Sequence, residues 1–351
     1  MATSLSEASV FSVQNAVLAP VISLAACLTM AFFGFYTLLF GISVYFLCTV
    51  KNIPRWKSHL AWTISLFLVT APGSITSISS SLRDLVVLYE TMRTQDDVLA
   101  FIEFFTENET QTALVGFSYT SIVVANTLVD SLLIHRIYII WESRLWIIVL
   151  PTIASLATNA VGLASDILRT KGFSNTTISA NFDLEETGIA ISPGFFYTMA
   201  GVNLVLTIML AGRIQWAYMR IRADLGGNGS RGQKYSKTVA TVIECGILYP
   251  LSLLALATTV KFQDSIAIPV DMLPVVMQMA GIAPTLIIFR TCIGRSITEN
   301  IVTSSRDACS FHVQRGHTSN AICGSDTRDL SLIELQNMKE VEIDIATVNT
   351  A

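Results

Sequence analysis

The stretch NTLVDSLLIHRIYIIW, residues 126–141, decides the fold. It is an apolar run that carries one acid, Asp130, and then leaves through His135-Arg136-Ile137-Tyr138. A carboxylate at the centre of a membrane helix costs about 2.5–3.5 kcal/mol on insertion scales, so it must face protein rather than lipid. The stretch therefore reads as the inner half of a membrane helix, with the other apolar segments arranged as a ring around it.

The composition agrees. Of 351 residues, 52% are hydrophobic and 14% charged, against about 25% charged in a soluble domain. The apolar residues come in long runs with short polar breaks, the pattern of membrane-spanning helices. The net charge of −4 gives no reason to expect nucleic acid as a partner. The start of the chain carries no Lys or Arg before its first apolar run, so no cleavable signal peptide is expected and the first helix serves as its own targeting signal.

Outward from 126–141, the pattern predicts an all-α, integral membrane bundle of seven helices over residues 20–297. Their approximate ranges are 21–50, 58–82, 112–141, 145–165, 190–213, 236–260 and 266–288. A short lead, 1–19, precedes the bundle, and a polar, mostly disordered tail, 298–351, follows it. Residues 74–81 form a run of Ser, Thr and Ile that would let a neighbouring helix approach closely. The run VLAFIEFF at 98–105 is too short to span and reads as a lid or an interfacial turn of helix. Pro250 is expected to kink the sixth helix.

Lys and Arg set the orientation. Lys51, Arg55, Lys57, Arg144, Arg220, Arg222, Arg231, Lys234 and Lys237 lie in the loops after the first, third and fifth helices. The other side carries fewer cations and an excess of acids. The N-terminus is thus predicted outside and the C-terminus in the cytosol. Two glycosylation sequons, at Asn108 and Asn175, fall in the predicted outer loops; Asn175 is the better acceptor, because Asn108 adjoins a helix start. Asn228, in a predicted cytosolic loop, should stay unmodified.

Asp130 and Glu244 are the two acids expected inside the apolar core, each about a turn from the cytosolic boundary. Arg136 and Arg290 lie nearby at that boundary. Asp130 and Arg136 are six apart and do not share a helix face. The expectation is an interhelical ionic cluster of Asp130, Arg136, Glu244 and Arg290 that could open when the bundle switches. The alternative is that each acid is protonated or bonded to a Ser or carbonyl. Asn126, Asn159 and Asn203 suit hydrogen bonds between helices. Asn126, Asn203, Tyr249 and Asp271 are the candidates for a ligand cavity, though Asp271 could equally be a solvated residue at the interface. Cys292, among basic residues past the last helix, is compatible with palmitoylation.

Some chemistry is missing. The six cysteines form no disulfide or metal pattern, and the last helix has no lysine for a retinal Schiff base. No GxSxG elbow, HExxH pair or phosphate-cradling loop is present. The chain is expected to be no enzyme and to need no cofactor. A transporter would more often show inverted repeats, and here the charged groups are expected on one side.

HRIYIIW at 135–141, Glu244 with Leu248-Tyr249, and AGIAPTLIIFRTCIGRS at 280–296 together resemble a family of uncharacterised seven-transmembrane proteins of mushroom-forming (basidiomycete) fungi. The resemblance covers roughly residues 20–297 and implies a fungal membrane protein with receptor-like topology. His135-Arg136-Ile137-Tyr138 also looks like the acid-Arg-aromatic-Tyr corner of rhodopsin-like receptors, with His in place of the acid. Pro284 is present in the last helix, but the Asn-Pro-x-x-Tyr pattern is not, and no exofacial cysteine pair is expected. The reading is a signal-sensing receptor, with a transporter or a non-signalling membrane scaffold as the alternative. Its expected surroundings are the bilayer, in the plasma membrane, and a heterotrimeric G protein at the loops 142–144 and 214–235.

Overall fold

The computed structural model describes residues 27–49, 56–94, 109–141, 144–175, 178–224, 230–262 and 271–290. These residues form seven helices: α1 (Cys27–Thr49), α2 (Trp56–Thr94), α3 (Glu109–Ile140), α4 (Leu145–Phe173), α5 (Ser179–Asp224), α6 (Ser230–Lys261) and α7 (Leu273–Arg290). Each contains a window long and apolar enough to cross a membrane, so the chain is a multi-pass membrane protein. Consecutive helices alternate in direction. One end of the bundle, called here the Glu109 end, gathers the starts of α3, α5 and α7 with the ends of α2, α4 and α6. The other is the Ile140 end.

Several helices are longer than hydropathy predicts. α5 has 46 residues, about 70 Å at 1.5 Å per residue, where 190–213 was expected. α4 runs on to Phe173 and α5 starts at Ser179, so the loop expected over 166–189 shrinks to a turn. α2 likewise continues to Thr94, and α6 begins at Ser230. Hydropathy marks where lipid contact ends, but helix hydrogen bonding continues wherever a partner helix covers one face. Here α4 and α5 stay in contact: Ser165 Oγ lies 3.1 Å from Ser192 Oγ and donates to the Gly188 carbonyl at 2.9 Å.

α3 is the hub. Its apolar residues lie on every side: most face other helices, while Phe117 and Val124 are exposed on the outer face. Ile122, Val123, Val129, Leu133 and Ile137 are buried in one core with Phe196, Met199 and Leu206 of α5, Leu253 and Leu256 of α6, and Val276 and Met277 of α7. α1 closes the other side, against α2 and α7. The Phe40 and Phe67 rings stack at 4.0 Å. Thr70 Oγ1 donates to the Tyr36 hydroxyl at 3.2 Å, and Gln278 Nε2 donates to the Thr29 carbonyl at 3.2 Å. Gly281 permits the α1–α7 contact, since a Cβ there would collide with the Tyr36 ring. Gly73 does the same for α2, whose backbone meets Ser121 and Met277.

α4 shows how a membrane helix inverts soluble amphipathicity. Its buried residues are Pro151, Ser155, Thr158, Asn159, Gly162, Ser165, Asp166 and Gly172, all small or polar. Trp146, Leu150, Ile153, Leu156 and Ile167 point outward. Lipid tails are as apolar as leucine, so apolar surface gains nothing by leaving them. Small and polar residues take the interface, where backbones can approach and hydrogen bonds can form.

Candidate functional site: a polar hub across four helices

Asn126 and Asp130 share one face of α3 by their four-residue spacing, and both are buried. From Ile140 they lie about 21 and 15 Å along the helix axis, so both sit near mid-depth. Counted from the end of α3, Asp130 is nearly three turns inside. Three neighbouring helices converge on this pair. From α4, Ser155 Oγ donates to Asp130 Oδ2 at 2.5 Å, and Asn159 Nδ2 reaches the same oxygen at 3.5 Å. From α3 itself, Asn126 Nδ2 donates to Asp130 Oδ2 at 3.1 Å and to Asn159 Oδ1 at 3.0 Å. From α5, Asn203 Nδ2 donates to Asn126 Oδ1 at 3.0 Å. From α6, the Tyr249 hydroxyl donates to the same oxygen at 3.2 Å.

The ionic cluster expected around Asp130 is not formed. Among the described residues its contacts are amides and a hydroxyl, and no base pairs with it. Glu244 and Arg290 do meet, with Arg290 Nη1 donating to Glu244 Oε2 at 2.9 Å. Their side chains are 64% and 45% exposed, so the pair is of the weak surface kind. Arg136 is half-buried near the Ile140 end and forms no ion pair among the described residues. The four residues thus separate into a mid-depth acid, an exposed pair linking α6 to α7, and an arginine apart from both. Depth along each helix, invisible in the charge pattern, accounts for the separation.

Of the ligand candidates, Asn126, Asn203 and Tyr249 are turned onto one another inside the hub. Asp271 is a cap. Its Oδ1 accepts the Leu273 amide at 2.9 Å, satisfying a free donor at the start of α7. Its Oδ2 accepts from Ser81 Oγ at 2.9 Å and Ser77 Oγ at 3.3 Å, tying α7 to α2. Asn175 lies in the α4–α5 turn, with its carbonyl accepting from Asn181 Nδ2 at 3.1 Å. Asn108, Cys292, the 98–105 run, the N-terminal lead and the tail lie outside the described residues.

Ser155 and Asp166 escaped the sequence reading. Ser155 precedes Asn159 by one turn, and that spacing of polar residues in an apolar helix was the available signal. Asp166 was lost because the predicted helix stops at residue 165, just short of it, whereas α4 continues to Phe173.

A set of buried polar side chains lies between the hub and the Glu109 end. It includes Ser118 and Ser121 of α3, Ser74, Ser77 and Ser80 of α2, and Gln278 of α7. At its top, Gln111 Nε2 donates to Ser80 Oγ and Asp84 Oδ1, both at 2.7 Å. On the Ile140 side of the hub, Leu133 and Ile137, Leu210 of α5, Val242 of α6 and Ile287 of α7 are buried together, and Ser43 of α1, Thr63 of α2 and Thr285 of α7 are buried there as well.

Comparison with known proteins brought no match to the chain from family models, curated proteins or solved structures. Among the described residues, no group of three or more His, Cys, Asp or Glu side chains could hold a metal ion.

Proposed function

We propose that the protein is a signal-sensing receptor of the plasma membrane, with its N-terminus and its Glu109 end outside and its Ile140 end in the cytosol. The orientation rests on the Lys and Arg excess in the loops at the Ile140 end. The observation that carries the receptor reading is the hub, in which Asn126 and Asp130 of α3 are hydrogen-bonded to α4, α5 and α6 at once. Such an arrangement lets a displacement of one helix reach the other three. Tyr249, bonded to Asn126, directly precedes Pro250, which leaves the Gly246 carbonyl without its helix donor. A change in the hub therefore acts at the point where α6 bends most readily. Arg136 lies on α3 two turns beyond Asp130, toward the cytosolic face where a heterotrimeric G protein would dock. The segments at 135–141, 244–249 and 280–296 support membership of the fungal seven-transmembrane family they resemble.

The test uses purified full-length protein in nanodiscs, with heterotrimeric G protein and an Arg136→Ala variant. Binding that is sensitive to guanine nucleotide and lost in the variant is expected. No binding in any nucleotide state would overturn the receptor reading and turn attention to flux measurements.

A further inference from the structure

A second polar site lies outside the hub, in the seam between α3 and α4 at the Glu109 end. There a groove of about 650 Å³ opens between the two helices. Its floor exists because Gly116 lets α4 come close: a Cβ at 116 would sit 2.8 Å from Thr170 Cγ2. Glu109, Thr120 and Lys171 are exposed members of its lining, Ala113 and Ile167 give it apolar surface, and Asp166 is its buried acid. Asp166 is 6% exposed, and its Oδ2 is buried with no hydrogen-bond partner. Arg169, one turn further on, moderates that charge through space. Its guanidinium, however, lies 4.2 Å over the Tyr119 ring, and Nη1 donates to Ser192 Oγ at 3.5 Å.

We propose that the α3–α4 groove binds a primary ammonium group, with Asp166 as its carboxylate partner. A carboxylate held almost wholly out of water is costly, and an N–H group bound at the edge it shows to the groove offsets that cost. The groove has the size of an organic ligand site, not of a bare ion. Its alkyl wall takes the carbon chain while the acid takes the charged end. A quaternary ammonium has no N–H and cannot donate to the carboxylate. Two sources offer the chemistry: an aminophospholipid headgroup, whose phosphate would meet Lys171, or a soluble amine. The site is independent of the receptor reading, since a transporter or a scaffold with this groove would bind the same group.

The experiment uses the full chain in nanodiscs and has two arms. In phosphatidylcholine discs, phenethylamine is compared with 2-phenylethanol by the shift in melting temperature and by the amine concentration giving half of that shift. In discs of mixed phosphatidylethanolamine and phosphatidylcholine, lipid retained through native mass spectrometry is measured. Preference for the amine in the first arm, or for phosphatidylethanolamine in the second, is expected and identifies the source. Asp166→Asn, nearly isosteric, should weaken that preference about tenfold or more through loss of a charge-assisted hydrogen bond. Ala113→Phe should block the groove with Asp166 intact, and it decides the matter if Asp166→Asn does not fold. The proposal fails if neither arm shows a preference, or if the preference survives in either folded variant. G-protein binding reads out separately, so failure here leaves the receptor reading standing.

Discussion

Asn126 is the residue on which the hub turns. Its amide nitrogen donates to Asp130 and Asn159, and its oxygen accepts from Asn203 and Tyr249. Hydrogen bonds within membrane bundles are worth about 0.6 kcal/mol on average. Asn126→Leu removes four at once and leaves buried donors behind, so it should destabilise the fold by about 2–3 kcal/mol. Tyr249→Phe removes one bond and should cost about 0.6 kcal/mol. Reversible unfolding of both variants in mixed micelles compares them directly. Equal losses would show that Asn126 does not organise the cluster. The sequence reading assigned Asn126, Asn159 and Asn203 to interhelical bonding in general terms. It could not tell that all three converge with Asp130, because residues 126 and 203 meet only if α3 and α5 have matching depth and rotation.

At the scale of elements, the contacts that position helices are made by small residues. A methyl added at Gly281 would press on the Tyr36 ring in the α1–α7 interface. Overpacking of this kind costs about 1–3 kcal/mol, which is the loss expected for Gly281→Ala in the same unfolding measurement. Tyr36→Leu in the Gly281→Ala background should recover part of it; a loss that is unchanged or additive would place the strain elsewhere. The Glu244–Arg290 pair belongs to the same scale but is weaker. At these exposures it contributes about 1 kcal/mol or less, too little to lock α6 to α7 by itself.

For the whole molecule the first question is which end faces outward. Asn175 lies in the α4–α5 turn at the Glu109 end. With that end outside, expression in a eukaryotic host should give a protein whose mass falls on endoglycosidase treatment, and Asn175→Gln should abolish or reduce that fall. Glycan at Asn228 instead would invert the proposed orientation.

Hydropathy is local, so residues 126–141 and the other apolar runs determined by themselves that the chain crosses the membrane, and with how many helices: lipid selects each segment on its own side chains. The sequence also marked Asn126, Asp130, Asn159 and Asn203 as polar groups requiring protein partners, because no partner is available in hydrocarbon. It could not supply the partners. Asp130 was expected beside Arg136, Glu244 and Arg290 but bonds to Ser155, Asn126 and Asn159. Asp166 was read as lying beyond a helix that in fact continues to Phe173. Which polar groups meet depends on the depth and rotation of one helix against another. Those are set by packing at close contacts such as Gly281 on Tyr36 and Gly116 on Thr170, and the tertiary structure alone decides them.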